Sequence, residues 1–271
     1  FDSLGHCART VGPAPSPQAV TLDLDLTGGS DQITGTIFNG GTTLAFIADR
    51  AVFSTTRPCP LAATYNVTFD PGMALGAPAG AGWARLTVSS AGVAVVVGNL
   101  ADGTAFTNSA ALSRTGTWPL HVPLYVNAGA ISGRLAFTKV VGVGDAVGSL
   151  AWSKPATFTT SLAVAACKFV APLAGKRVLT VFDTSSGAAT IRLGGVTQAA
   201  TISTANVVTI SPNPNVIKLT ITASLGQFSG TFTHPASLKA TSFKGVFLPE
   251  QGRGRGYLIG PSGSELVEVL P

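Results

Sequence analysis

The 271 residues are 45% hydrophobic but only 11% charged, with a formal net charge of +5; typical domains are roughly 25% charged. Disordered chains are rich in charge and poor in β-branched and aromatic residues, so this balance excludes disorder. The basic residues are spread singly, apart from Lys176-Arg177 and the Arg253/Arg255 pair, which speaks against nucleic acid, whose binders gather charge on one face.

The length suits one large β domain or two ordinary ones. Glu occurs only at Glu250, Glu265 and Glu268, while the chain holds 32 Gly and 17 Pro. Helix formers are scarce and Thr, Val, Gly and Ser abundant, which favours strands and turns. No apolar run reaches about 18 residues, so no transmembrane segment is expected. The chain begins at Phe1 without Met and reads as a processed or excised segment.

In chain order, residues 1–19 read as an N-terminal tail or linker. Strict apolar/polar alternation then covers residues 20–26, and it returns at 83–88 and 216–222. A period of two marks a sheet with one buried and one wet face. Turn punctuation is dense, at Thr27-Gly28-Gly29, Asn39-Gly40-Gly41, Ala101-Asp102-Gly103 and Pro261-Ser262-Gly263 among others. Residues 161–174 are Ala-rich but hold Val164, Phe169 and Val170, and read as a strand. The fold class is all-β: an antiparallel meander of about sixteen strands, forming two duplicated barrel- or sandwich-like modules. Module one, with an N-terminal hairpin, spans 20–155 and module two 156–271.

The duplication rests on an internal repeat. Gly129-Ala130-Ile131-Ser132-Gly133 matches Gly226-Gln227-Phe228-Ser229-Gly230, and Gly148-Ser149-Leu150 matches Gly245-Val246-Phe247, both 97 residues apart. Residues 60–70 resemble 172–183 upstream, which makes the Gly/Ala/Pro-rich stretch 71–82 an insertion. Residues 32–38 and 48–53 read as a third, partial hairpin. The repeat predicts Gly133 equivalent to Gly230, Gly148 to Gly245, Phe137 facing the core, and Phe232 rather than His234 buried.

Chemistry is sparse. His6, His121 and His234 share no ligand spacing. Asp23 and Asp25 point the same way from one strand, and with Asp31 across the turn they form a candidate calcium site; no other cofactor is expected. Asp49, Asp70, Asp102, Asp145 and Asp183 read mostly as turn residues. No nucleophile elbow, Walker loop or dinucleotide fingerprint occurs, and the glycine-rich run 252–256 reads as a hairpin turn with solvated arginines. The chain reads as a non-enzyme. Among three cysteines, Cys7 and Cys59 lie in Pro-rich sequence and are the preferred disulfide pair; three buried free thiols are the alternative. Trp118, Tyr125 and Trp83 are the candidate ligand-binding aromatics, with Trp118 the best exposed, while Trp83 and Trp152 read rather as core and core packing outweighs ligand contact for Trp118 as well.

Asn99-Leu100-Ala101-Asp102-Gly103-Thr104, residues 148–155, Phe228-Ser229-Gly230-Thr231-Phe232 and Phe243-Lys244-Gly245-Val246-Phe247 resemble β-rich C-terminal segments of large secreted or surface proteins of Verrucomicrobia and related bacteria. The resemblance covers most of residues 20–271. It implies a secreted or cell-surface location and an accessory role, and carries no established activity.

These readings converge on a non-catalytic extracellular surface module with an adhesive, scaffolding or assembly role, partnered by other surface proteins or by copies of itself. A mean hydropathy of +0.41 fits apolar surface kept for partners. The alternative is a carbohydrate-binding module of a secreted protein, with polysaccharide as partner. An outer-membrane barrel fits less well, because aromatic girdles need more than three Trp and three Tyr.

Overall fold

A computed structural model describes residues 1–72 and 74–271. Among them there is no α-helix. Twenty antiparallel strands and two 3-10 turns, Thr180–Phe182 and Pro249–Gln251, form three sheets.

The first sheet has four strands in order: β1 (His6–Val11), β2 (Gln18–Leu24), β3 (Gln32–Phe38) and β4 (Thr43–Asp49). The expected tail is therefore largely β1, paired with β2 from His6↔Asp23 to Val11↔Gln18. The partial hairpin exists, but its second strand is Thr43–Asp49, and residues 50–53 are irregular.

The second sheet is a nearly closed barrel of β5 (Ala63–Pro71), β6 (Gly82–Val88), β7 (Val93–Asn99), β8 (Ala105–Ala111), β9 (Thr117–Leu124), β10 (Gly129–Ala136), β11 (Ala146–Lys154) and β12 (Phe158–Lys168). Its order is 8-7-6-5-12-11-10-9, so the first and last strands pair and a seam stays between β8 and β9. β12 completes this barrel, which moves the module boundary past the expected 155/156. The third sheet holds β13 (Ala188–Leu193), β14 (Val196–Ile202), β15 (Val208–Thr209), β16 (Lys218–Thr222), β17 (Gln227–Thr233), β18 (Ala240–Leu248), β19 (Arg253–Gly260) and β20 (Gly263–Leu270). Here β13 pairs with β20 and the seam falls between β15 and β16.

Counted from the seam, the two rings read 9-10-11-12-5-6-7-8 and 16-17-18-19-20-13-14-15. The hairpins β10–β11 and β17–β18 thus hold the same place. Their registers differ: Gly133 faces Leu150, whereas Gly230 faces Phe243, four residues short of the position that the 97-residue offset requires. An even slip keeps every side chain on its face, so the barrels are alike in architecture without being residue-for-residue copies. Residues 172–183 hold a 3-10 turn in place of a counterpart to β5, which removes the upstream match. Phe232 is buried as expected, but His234 is buried too, its Nε2 3.1 Å from Glu265. Phe137 packs on the rim of the first core, edge-on to Tyr65.

Period two is the packing rule inside the barrels. On β9, Trp118, Leu120, Val122 and Leu124 point inward and Thr117, Pro119, His121 and Pro123 outward. Fully buried Trp118, Trp152 and Phe69 fill the first barrel; Phe228, Phe232 and Phe247 fill the second, each worth about 1.5–3 kcal/mol of burial. The run 252–256 is not a solvated turn. It leads into β19, whose Gly254 and Gly256 point inward; a Cβ on Gly254 would sit 2.9 Å from the Phe228 ring. Arg253 and Arg255 point outward and pair with Glu268, and Arg255 also with Asp70 at 2.9 Å.

The outer face of β5 is buried against the second barrel. Fully buried Asn66 directs its side-chain amide at three carbonyls, of Gly226 and Phe247 at 3.0 Å and of Leu225 at 3.3 Å. The stretch after β5 is a strap on the second barrel: Ala79 N–H donates to Ser264 O and Ala81 N–H to Gly256 O. Its small residues follow from contact, since a Cβ on Gly80 would lie 2.5 Å from that of Tyr257. Replacing Asn66 with Leu takes the shared donor from three carbonyls, of which Gly226 O keeps the Phe247 N–H, and should cost about 1–3 kcal/mol. Calorimetry should then resolve two unfolding transitions where the parent shows one; a single unshifted transition would show that the clamp does not couple the barrels.

Candidate functional site

The N-terminal sheet carries one apolar face. Register puts Val20, Leu22 and Leu24 of β2 beside Ile37, Gly35 and Ile33 of β3, and these beside Leu44, Phe46 and Ala48 of β4. Cys7 and Arg9 extend the face onto β1. Among the described residues none of these belongs to a buried core cluster, and Leu44 is 57% exposed. The other face is largely polar, with Thr21 and Thr36 hydrogen-bonded at 2.7 Å and His6 paired with Asp23. A one-sided sheet of this size needs a second layer to bury its apolar side.

A second feature lies on the outer wall of the first barrel, over the β8/β9 seam. A groove of about 700 Å³ is lined by Trp83, Arg85, Asn99 and Thr107, by residues 122–124 of β9 and by Gln227 of the second barrel. The seam has a chemical cause. Asn108 Nδ2 donates to His121 O at 2.9 Å, so His121 turns its backbone groups toward β8. By period two Pro119 and Pro123 do the same, and proline has no N–H to give a ladder. The free edge of β9 therefore offers carbonyls and few donors. Lys244 stands beside this groove, at its Trp83 and Asn99 wall, and itself lines a neighbouring pocket with Tyr257. It donates to Asn99 Oδ1 at 3.0 Å and lies 5.8 Å from the Trp83 and 5.7 Å from the Tyr257 ring centroids. Burial pushes its pKa down.

Of the candidate aromatics, Trp118 is 0% exposed. The segment before Pro119 is a barrel strand, and Trp118 keeps the inward parity of Leu120, so it cannot meet a ligand. Tyr125 is structural: its hydroxyl donates to Asp102 at 2.8 Å and accepts from Trp152 Nε1 at 3.0 Å, with Lys154 4.9 Å over its ring. Trp83 alone borders an open groove. The three calcium candidates do not converge. Asp23 holds His6, Asp25 accepts from the amides of Thr27, Gly28 and Ser30, and Asp31 pairs with Arg50 and Arg114. β2 ends at Leu24, so Asp25 folds over the turn instead of pointing with Asp23. Among the described residues no three His, Cys, Asp or Glu side chains gather as a metal site. Cys7, Cys59 and Cys167 are all free, Cys59 lying in the first barrel's core, so the expected pair does not form. Burial pushes the Cys167 thiol up to about 12, a value that makes it unreactive.

The remaining carboxylates are also engaged. Asp49 accepts from Gln32, Asp145 from the Lys168 amide, and Asp2 from the Leu4 and His6 amides. Asp183 pairs with Arg177 and Glu250 with Lys139. All twelve acids thus have a cation or a donor within the chain.

No family model matches the chain, and no curated protein does. Among solved structures it is similar to a mutant of transferrin binding protein B, a vaccine antigen from Haemophilus parasuis, at 10% identity and a TM-score of 0.25, covering 95% of this chain and 66% of that one. It is similar also to intact Ap-TbpB, with N and C lobes, at 10% identity and a TM-score of 0.23, covering 94% and 66%. The chain thus spans just under two thirds of those proteins.

Asp102 makes a checkable case of internal engagement. Burial works to raise its pKa, but the Thr104 amide and the Lys154 and Tyr125 side chains outweigh it and hold the carboxyl below the usual aspartate range. A lowered folded value means that its stabilisation is present above the ordinary aspartate pKa of about 3.9 and is lost as pH falls through the folded value. Asp102→Asn should therefore cost about 1–3 kcal/mol near neutrality, and denaturant midpoints of parent and variant should converge in acid. A gap that persists unchanged in acid would contradict this.

Proposed function

We propose that the chain is a non-catalytic module of an extracellular or cell-surface protein, with an assembly role, and that the occupant of its N-terminal sheet is a second copy of that sheet. The uncovered apolar face carries this reading. It bears one charge, Arg9, so two copies related by a two-fold axis bury like against like without opposing charges at the centre. The engagement of all twelve carboxylates supports a non-catalytic role, since no acid is left free to act as a base or nucleophile. The secreted location is supported by the sequence resemblance and the low charge.

The expected strength follows from size. Four strands about 4.8 Å apart and seven residues long give a face on the order of 440 Å². Two such faces bury on the order of 900 Å², below the range of stable complexes, so association is weak and reversible. Sedimentation velocity should show dimers growing with concentration. Leu44→Lys, on the apolar face, should abolish them, while Ile47→Lys, on the opposite face of the same strand, should not. A parent chain that stays monomeric at the highest attainable concentration, or that dimerises equally well with Leu44→Lys, would overturn the reading; capture of a different protein through Leu44 would replace the second copy as occupant.

A further inference from the structure

The geometry points to the groove between Trp83 and the β8/β9 seam as a binding site for an acidic polysaccharide, a polymer of sugar rings bearing carboxylates. The inference is independent of the assembly role, which uses the N-terminal sheet and none of the groove residues.

Three observations select this chemistry. The first is charge. Every carboxylate is already engaged, yet the chain carries seventeen Lys and Arg against twelve acids. Arg85 lines the groove, and among the described residues no carboxylate lies within 4 Å of it. Lys244 is bonded only to the neutral Asn99 amide, and its lowered pKa has desolvation as its one cause, with no acid to offset it. An unpaired cation in the groove, with a second beside the Trp83 and Asn99 that line it, favours an anion.

The second is shape and surface. Trp83 alternates with Arg85 on the outer wall of β6 and lines the groove, with part of its side chain packed against Val246 and Leu248 of the second barrel. A flat aromatic wall beside amide and hydroxyl groups, here Asn99, Gln227 and Thr107, suits a ring with one apolar face and a rim of hydroxyls.

The third separates a glycan from an acidic peptide. A peptide strand added to an edge brings N–H and C=O groups in equal number and needs both kinds of partner. Of the outward prolines on the β9 edge Pro123 lines the groove and offers a carbonyl with no N–H, while the His121 carbonyl beyond the groove is already taken by Asn108. Sugar hydroxyls donate to such carbonyls and leave no ligand carbonyl unpaired.

Affinity electrophoresis of the full chain tests this with gels containing polygalacturonate, dextran or poly-L-glutamate. Polygalacturonate should retard the parent, and raised ionic strength should weaken the retardation. Dextran and polyglutamate should leave mobility unchanged. Arg85→Gln, which removes the free cation, and Thr107→Trp, which fills the groove from an exposed position, should each weaken retardation about tenfold or more, a loss of at least one well-placed contact. An unchanged thermal midpoint shows that each variant is folded. The Leu44→Lys chain should bind like the parent, so loss of self-association and loss of this site read out separately. No retardation of the parent by polygalacturonate, or variants that bind as the parent does, overturns the site. Equal retardation by dextran overturns the acidic ligand, and equal retardation by polyglutamate overturns the glycan.

Discussion

The contact on which the architecture depends is the amide of Asn66. An antiparallel barrel strand normally has one dry and one wet face, yet β5 is dry on both, because its outer side chains meet the second barrel. A polar group in that position is costly unless its hydrogen bonds are made. The Asn66 amide N–H groups make them with main-chain carbonyls at the open end of the β17–β18 hairpin, at Leu225, Gly226 and Phe247, while its Oδ1 has no partner among the described residues. Backbone carbonyls cannot shift independently of their barrel, so the clamp fixes one barrel's position on the other. The Arg255–Asp70 pair and the strap at Ala79 to Ala81 then close around it.

That arrangement also decides where charge is spent. Acids are few, and the structure uses them as caps, turn formers and cross-strand partners. Cations are in surplus, so those left over define the electrostatic character of the surface. A formal charge of +5 with singly spread basic residues looked featureless; once the internal pairs are set aside, Arg85 lines one groove and Lys244, beside its Trp83, lines the neighbouring pocket. The two surfaces of interest divide by chemistry: an apolar sheet face that lacks a second layer, and a polar, aromatic groove that lacks an anion.

Much of the fold was legible in the sequence because period two is a local signal. Residues 83–88 alternate and form β6 almost to the residue. The equal 97-residue offsets found two hairpins in equivalent places. Register was not legible, because it depends on the hairpin loops, residues 137–145 against 234–239, and an even slip leaves the alternation intact. The tail was missed as a strand since its apolar residues are isolated. Trp118 was named the best exposed of the aromatics from Pro119, with core packing the weightier reading, and core it is: proline on an outward barrel position is compatible with a strand at a seam. The three aspartates were grouped by sequence distance, while their partners, His6, Arg50 and Arg114, come from elsewhere. Trp83 was named as a candidate, but Arg85, Lys244 and Gln227 were not, for their convergence requires the second barrel to dock. The paired prolines of β9 were the available signal for an open edge.

In both barrels the first strand is hydrogen-bonded to the last, and antiparallel pairing brings the entry and exit of the chain to the same end. Tyr65 lies opposite Lys168 in one, Thr190 opposite Leu270 in the other. A pull along the chain therefore loads the closing ladder from one end, and its bonds part in sequence, each worth only about 1 kcal/mol net, instead of sharing the load in shear. The barrel walls are stiff to side-on contact, but under tension each barrel has a built-in zip, and the chain lengthens by opening it.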